Sequence, residues 1–126
     1  MTSRGIDGER GSATVEFALV IPIVLLLLVA LVEVAVVARV QIELLGAARE
    51  GARVAATNSD PAAAVDAVHE ALSEGLMGSV IVTIERPAVV GREAVVRLSV
   101  RHYLAAALFG GVRVDLSARS VMRVEL

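Results

Sequence analysis

Hydrophobic residues along this chain form one long unbroken block, followed later by short runs that alternate with polar residues. The block covers residues 17–32, contains no charged side chain, and is flanked by Glu16 and Glu33. Sixteen helical residues measure about 24 Å, and extension to Ala38 gives about 33 Å, which matches a bilayer core of roughly 30 Å. Because the block is apolar on every face, it differs from the one-sided pattern of a helix that covers a soluble core. The pattern predicts a transmembrane helix.

The insertion energy supports this prediction although two carboxylates flank the block. Thirteen of the residues 17–32 are Phe, Leu, Ile or Val. Each contributes about -0.3 to -0.6 kcal/mol to insertion, so together they contribute roughly -4 to -8 kcal/mol. A carboxylate at the bilayer centre costs about 2.5–3.5 kcal/mol, and Glu16 and Glu33 lie near the ends, where the cost is smaller. Pro22 removes one helical hydrogen bond, which membrane helices tolerate.

A cleaved secretory signal is the competing interpretation of the same block. Its best cleavage site follows Ala38, in the sequence Val36-Val37-Ala38, and cleavage there would release a soluble domain. The apolar region of such a signal is normally about 7–15 residues long, which is shorter than this block. No helix breaker precedes the site. A retained membrane helix is therefore favoured.

A row of small residues follows the apolar block on the same predicted helix. Ala47, Gly51 and Ala55 repeat at every fourth position. Small side chains at this spacing let a neighbouring element approach the helix backbone closely. A glycine costs a helix about 1 kcal/mol relative to alanine, and close packing would offset that cost. Two partners remain open for this helix-packing row: a neighbouring subunit, or the chain's own sheet.

A second, shorter helix is predicted after a polar break. Asp60 before Pro61 is typical of a helix start, with a carboxylate at the N-cap and proline at the first helical position. Glycine at 75 or 78 is expected to end the helix. Its apolar positions recur at helical spacing, and its opposite face is acidic; the two sets are Val65, Val68, Leu72 and Leu76, and Asp66, Glu70 and Glu74.

Alternation with a period of two predicts three strands in the remainder of the chain. They lie in "SVIVTIER", in "EAVVRLSVRHY" and in residues 112–126, and Pro87 and Gly91 favour a hairpin between the first two. The expected inner face of the last strand is Val112, Val114, Leu116, Ala118, Met122, Val124 and Leu126. One apolar and one polar face indicate an antiparallel sheet packed on helices. The connection "LAAALFGG" is expected to pack under the sheet, or to touch the membrane through Leu108 and Phe109.

Composition adds mainly exclusions. The net charge is -2, and all twelve basic residues are Arg, with no basic patch of the kind that nucleic acid requires. The chain has no Cys, so thiolate metal sites and thiol nucleophiles are excluded. His69 and His102 lack the spacing of a metal or catalytic motif. The sequence therefore predicts no enzyme, cofactor, metal site or nucleic-acid partner.

The entrance of the apolar block, "GSATVEF", carries a specific spacing. Gly11 lies five residues before Glu16, Phe17 comes next, and a short polar segment precedes the glycine. This arrangement resembles the class III signal of type IV pilin-like proteins. The resemblance implies cleavage after Gly11 by a membrane aspartyl peptidase, the prepilin peptidase, on the cytoplasmic face. Ser12 would then be the new N-terminus, and Glu16 and Phe17 would take part in assembly.

The physical chemistry of these residues suits that role. Glycine lets a peptidase backbone approach the scissile bond closely. Cleavage would give Ser12 an α-amino group with a pKa of about 8, and a carboxylate one turn away, or on a neighbouring subunit, pairs strongly with it in a low dielectric. In the alternative interpretation, Glu16 is an ordinary residue near the start of a helix, where the macrodipole favours a negative charge.

The segment "AAREGAR" narrows the family. It resembles the TadE-like proteins, pseudopilins of the tight-adherence (Tad/Flp) pilus systems, and the resemblance extends from Gly11 to about Thr57. It implies a pilin-like α+β fold with a leader (1–11), a transmembrane and extended helix (12–58), and a small outer domain (59–126). It also implies three kinds of partner: the prepilin peptidase, other pilin-like subunits and the pilus assembly platform.

Two features differ from a major pilin and favour a minor component. Asp7 and Glu9 offset Arg4 and Arg10, so the leader is nearly neutral, and Ser12 stands where many major pilins have an aromatic residue. Arginines lie on both sides of the apolar block, so their count does not set the orientation. The resemblance implies an inner-membrane protein crossing once, with a cytoplasmic N-terminus and an external C-terminal domain. Two alternatives remain open: an uncleaved accessory or sensor subunit that crosses the membrane once, and a secreted soluble domain.

Overall fold

The computed structural model describes residues 6–104 and 111–125 of the chain. Its elements follow in the order α1 (Ile6–Thr57), α2 (Pro61–Ala71), α3 (Glu74–Met77), β1 (Ile81–Glu85), β2 (Glu93–Tyr103) and β3 (Arg113–Arg123). The α+β architecture, with a long apolar N-terminal helix and a three-stranded antiparallel sheet, is confirmed. The expectations for Leu108, Phe109 and Leu126 lie outside the described residues.

Two compact units divide the chain, residues 1–35 and residues 36–126. In the described part of the first unit, the side chains of residues 11–28 are all exposed, including the large apolar ones. Pro22 lies inside the helix without ending it. Among the described residues, α1 is the one helix whose length and composition suffice to cross a membrane. Its exposed apolar surface distinguishes it from the core helix of a soluble protein.

The second unit is a two-layer domain in which helices cover one face of the sheet. The strands form a meander in the order β1-β2-β3, with both pairs antiparallel. Gly91, at φ 85°, adopts the left-handed conformation in the connection between β1 and β2. The inner face follows the predicted alternation; its buried members in β2 and β3 are Ala94, Val96, Leu98, Val100, Leu116 and Ala118.

The C-terminal end of α1 is held by bonds from distant parts of the chain. A helix leaves its last carbonyl groups without intrahelical partners. Here Arg86 donates from Nε to the Ala55 carbonyl at 2.7 Å, and the backbone N–H of Glu125 donates to the Ala56 carbonyl at 2.9 Å. The guanidinium of Arg86 also places a positive charge at the negative end of the helix dipole. These bonds tie the helix end to the segments that follow β1 and β3.

Two sequence predictions for this unit are wrong in detail. The predicted single helix ends at Ala71, because Leu72 is extended (φ -95°, ψ 146°), and α3 begins after Ser73. The alternation places Met122 and Val112 on the buried face, but they are 39% and 48% exposed. Val112 precedes the first residue of β3, and Met122 lies near the end of this edge strand, which has a neighbouring strand on one side only.

Candidate processing and assembly site

Residues 11–17, which carry the predicted processing signal, lie within α1 and are exposed. All their side chains are exposed, and an added Cβ at Gly11 would find no atom within 4 Å. Because α1 begins at Ile6, the peptide bond between Gly11 and Ser12 is inside a helix. A peptidase that binds an extended strand must therefore unwind at least this turn. Glycine and serine are weak helix formers, which lowers the cost of unwinding.

Ser12 and Glu16 already contact each other in this structure. The Ser12 hydroxyl donates to Glu16 Oε1 at 3.4 Å, across one turn of the helix. Removal of residues 1–11 would give Ser12, which contacts this carboxylate, a free α-amino group. The helix thus holds the acid against the side chain of the residue that would carry the new cation.

Phe17 continues this segment into the apolar surface of α1. Its side chain is 66% exposed, and large apolar side chains on the following turns, such as Leu19 and Ile23, are exposed to a similar extent. Exposed apolar surface of this extent marks a contact with lipid or with other helices. The segment therefore combines the hydrogen bond between Ser12 and Glu16 at its start with an uninterrupted apolar surface behind it.

The helix-packing row is used inside the chain. Ala47 and Ala55 are each 1% exposed, and Gly51 between them is buried. A Cβ added at Gly51 would overlap Cγ2 of Val68 on α2 and would lie 3.4 Å from Cγ1 of Val96 on β2. The row thus provides the close approach of α2 and the sheet to α1. It is not an open surface for a neighbouring subunit.

Glu43 forms a polar joint between α1 and the junction of α2 with α3. Its Oε1 accepts the backbone N–H of Ser73, thirty residues away. Hydrogen bonding from the Ser73 side chain and backbone lowers the pKa of Glu43, with a smaller contribution from the positive charge of Arg39. The carboxylate supplies an acceptor where Leu72 and Ser73 leave helical conformation.

The bond between Glu43 and Ser73 leads to a prediction about how the stability of the domain depends on pH. The depressed pKa of Glu43 means that its contribution to the free energy of unfolding is complete above the unfolded pKa, near 4.5. The contribution is lost as pH falls through the lower, folded pKa. We expect Glu43→Gln to lower stability slightly at pH 7 and to flatten the pH dependence below 4.5. Urea unfolding of the full chain in detergent between pH 3 and 7 measures this. If the variant loses stability below pH 4.5 as steeply as the native chain does, this role of Glu43 is wrong.

The two histidines do not converge on a site. His69 lies on α2 and His102 on β2, and both are half-buried. Within the part of the chain that the structure describes, no group of three or more His, Cys, Asp or Glu side chains is arranged to hold a metal ion.

Sequence reasoning missed the polar contacts that join α1 to the sheet. Gln41 donates from Nε2 to the backbone carbonyl of Ser117 at 2.9 Å, and the bond between Arg86 and Ala55 has the same character. The partners are 76 and 31 residues apart. Backbone carbonyl acceptors carry no sequence signal, so no motif could have indicated these contacts.

Comparison with known proteins gives one match. Residues 11–53 match the family model described as TadE-like protein. No curated protein and no solved structure gives a significant match. The matched segment begins at Gly11, includes the whole apolar block, and ends two residues after Gly51. It therefore contains the Ser12–Glu16 contact and most of the helix-packing row.

Proposed function

We propose that this chain, which is a TadE-like protein over residues 11–53, is a minor pseudopilin that acts in assembly of a Tad/Flp-type pilus or a related secretion apparatus. A prepilin peptidase would hydrolyse the peptide bond between Gly11 and Ser12. The product would remain in the inner membrane, crossing it once through α1, with its N-terminus cytoplasmic and its C-terminal domain outside. Its partners would be other pilin-like subunits and the assembly platform, and it would carry out no catalytic step itself.

The observation that carries this proposal is the coincidence of three features at Gly11. The family match begins there. The glycine precedes Glu16 by five residues, and the apolar block follows at once. Ser12 and Glu16 are also in contact in the helix. A solvated surface carboxylate would explain Glu16 alone but not its spacing from the glycine.

Cleavage would convert this contact into an ion pair. Hydrolysis of the Gly11–Ser12 bond leaves a carboxylate on the leader and an ammonium group on Ser12. The Coulomb attraction between an ammonium and a carboxylate 4 Å apart rises from about 1 kcal/mol in water to about 4 kcal/mol at an effective dielectric constant of 20. Glu16 can neutralise the N-terminus of its own chain, or that of a neighbouring subunit. Either arrangement lowers the cost of holding both charges at the membrane interface.

The mass of the mature protein tests the proposal directly. We expect protein purified from membranes of its native host to begin at Ser12. A protein that begins at Met1 or Thr2 would indicate an uncleaved membrane subunit, and one that begins at Arg39 would indicate a secreted domain. Either of these results would overturn the proposal.

One observation favours the uncleaved single-span subunit as a second candidate. α1 is continuous from Ile6 through Gly11, so the scissile bond of the proposed cleavage is helical. A protein that is never processed has no need to unwind there. In that case the chain would act as a membrane accessory subunit, and Gly11 and Glu16 would have no processing role.

A further inference from the structure

The outward face of the sheet, which the core does not use, is rich in arginine. Residues at odd positions of β2 and β3 project from this face and are mostly exposed. It carries five arginines and three carboxylates; these are Arg97, Arg101, Arg113, Arg119 and Arg123, with Glu85, Glu93 and Asp115. We call this surface the arginine face.

The charges on the arginine face are not balanced within the chain. Arg97 bonds Glu85 at 3.0 Å, and Arg101 lies 3.9 Å from Asp115. The side chains of Arg113, Arg119 and Arg123 form no hydrogen bond or ion pair with any part of the chain that the structure describes. Arg119 also lies directly opposite Arg97 in the strand register. Like charges at opposed positions are destabilising, and Glu85 offsets this at Arg97 only, so an acidic partner for Arg119 would relieve the rest of the cost.

The outward side of α2 has the opposite charge. Asp66 and Glu70 are exposed and lie four residues apart, so they share one face of the helix. Neither forms an ion pair within the described ranges. Like charges at this spacing also destabilise a helix. Glu74, at the start of α3, is exposed as well. We call this surface the acidic face.

The two faces are complementary in spacing as well as in charge. Cross-strand neighbours such as Arg97 and Arg119 have Cβ atoms about 4.5–5.5 Å apart. Residues one helical turn apart, such as Asp66 and Glu70, have Cβ atoms about 5–6 Å apart. Two arginines of one domain can therefore meet two carboxylates of another in matched pairs. Within one domain the faces cannot meet, because Ala64 and Val68 of α2 and Val96 of the sheet are buried between them.

We propose that the arginine face of one copy of this chain docks on the acidic face of a second copy. Such a contact uses different surfaces on the two copies, so a docked pair leaves one arginine face and one acidic face free for further copies. The inference deepens the proposed assembly role, on which it rests, by naming one partner and the residues that recognise it. Arg97 and Arg119 are assigned to Asp66 and Glu70 across the interface.

Charge reversal on each face provides a test with a built-in rescue. The sheet variant carries Arg97→Glu and Arg119→Glu, and the helix variant carries Asp66→Arg and Glu70→Arg. Each variant alone brings like charges together, whereas a mixture of the two pairs the reversed faces with each other. Arg49→Glu with Arg92→Glu is the control, because it makes the same charge change as the sheet variant at exposed arginines outside both faces.

Site-specific cross-linking reports the contact, because the chain has no native cysteine. Ser117→Cys on the arginine face and Ala62→Cys beside the acidic face are placed in separately tagged copies of the full chain. The copies are reconstituted together in neutral phosphatidylcholine bilayers and treated with a short bismaleimide. A contact between unlike faces gives 62–117 products in excess of 62–62 and 117–117 products.

We expect each reversal variant alone to lower the 62–117 yield about tenfold, which corresponds to about 1.4 kcal/mol of repulsion. The mixture is expected to restore the yield, and the control is expected to leave it unchanged. The yield should also fall between 0.1 and 1 M salt, because the screening length shortens from about 10 to about 3 Å. Circular dichroism melting curves of all variants confirm that the domain remains folded.

Three results would overturn the inference. The first is a yield that the reversals do not change. The second is a mixture that fails to rescue, as expected if the arginine face instead binds an anionic lipid surface or a different protein. The third is an excess of 117–117 products, which would indicate a symmetric dimer. Failure here is separable from failure of the proposed function, since the N-terminal mass of the same protein reports processing at Gly11 independently.

Discussion

Gly51→Ala is expected to destabilise the C-terminal domain, whereas Gly46→Ala, five residues earlier in the same helix, is expected to stabilise it. The new methyl group at 51 would overlap Cγ2 of Val68, whose branched side chain is stiff and fully buried. Overpacking of this kind costs about 1–3 kcal/mol, so a net loss of up to about 2 kcal/mol remains after the gain of about 1 kcal/mol in helix propensity. At Gly46 nothing lies within 4 Å of the added atom, so the gain is realised.

The same residue pair provides a rescue. Val68→Ala removes the overlapping methyl group, so Gly51→Ala should be less costly in a Val68→Ala background than in the native chain. Urea unfolding of the four members of this double-mutant cycle, in detergent, measures the coupling between the two positions. Additive effects at 51 and 68, or equal effects at 46 and 51, would show that α2 does not pack on Gly51.

Gly11→Leu is expected to leave the protein in the membrane at full length. The peptidase must approach the backbone at the scissile bond, and a branched side chain there blocks an approach that glycine permits. We expect loss of essentially all of the product that begins at Ser12. Gly8→Leu, three residues earlier, makes the same chemical change away from the bond and should leave processing intact. Intact mass and immunoblotting of host membranes distinguish the outcomes.

Continued trimming of Gly11→Leu at the same bond would show that the peptidase assignment is wrong. Loss of trimming in both leucine variants would indicate a general effect of apolar residues on the leader. It would not support a specific requirement for glycine at position 11. The two glycine predictions are independent, because one concerns processing and the other concerns packing of the C-terminal domain.

Most elements of this fold were predictable because they have strong local signals. The apolar block, the Asp60–Pro61 helix start and the alternation of β2 each follow from residues close together in the chain. The packing row was also visible, but its partner was not. Small residues at four-residue spacing fit a neighbouring subunit as well as an internal sheet. Only the structure shows that Val68 and Val96 occupy the space above Gly51.

The polar joints were not predictable, and neither was the break between α2 and α3. The sequence does not distinguish Glu43 from an ordinary surface acid, because its bond to the backbone of Ser73 depends on the fold. Two contacts accompany the interruption at Leu72. One is the bond between Glu43 and Ser73, and the other is the burial of the Leu72 side chain in the core, where it is 5% exposed. Competition between helix continuation and core packing is decided by tertiary contacts, which a single sequence does not display.

The bond from the backbone of Glu125 to the Ala56 carbonyl has a consequence for biosynthesis. A ribosome adds about 5–20 residues per second, so roughly 3–14 seconds separate the synthesis of these two partners. During that interval the apolar block is already synthesised, but the alanine- and glycine-rich turns that follow it have no sheet to cover them. Another nascent helix with small residues could occupy them first. The order of translation thus exposes the future core to competing chains before its own strands arrive.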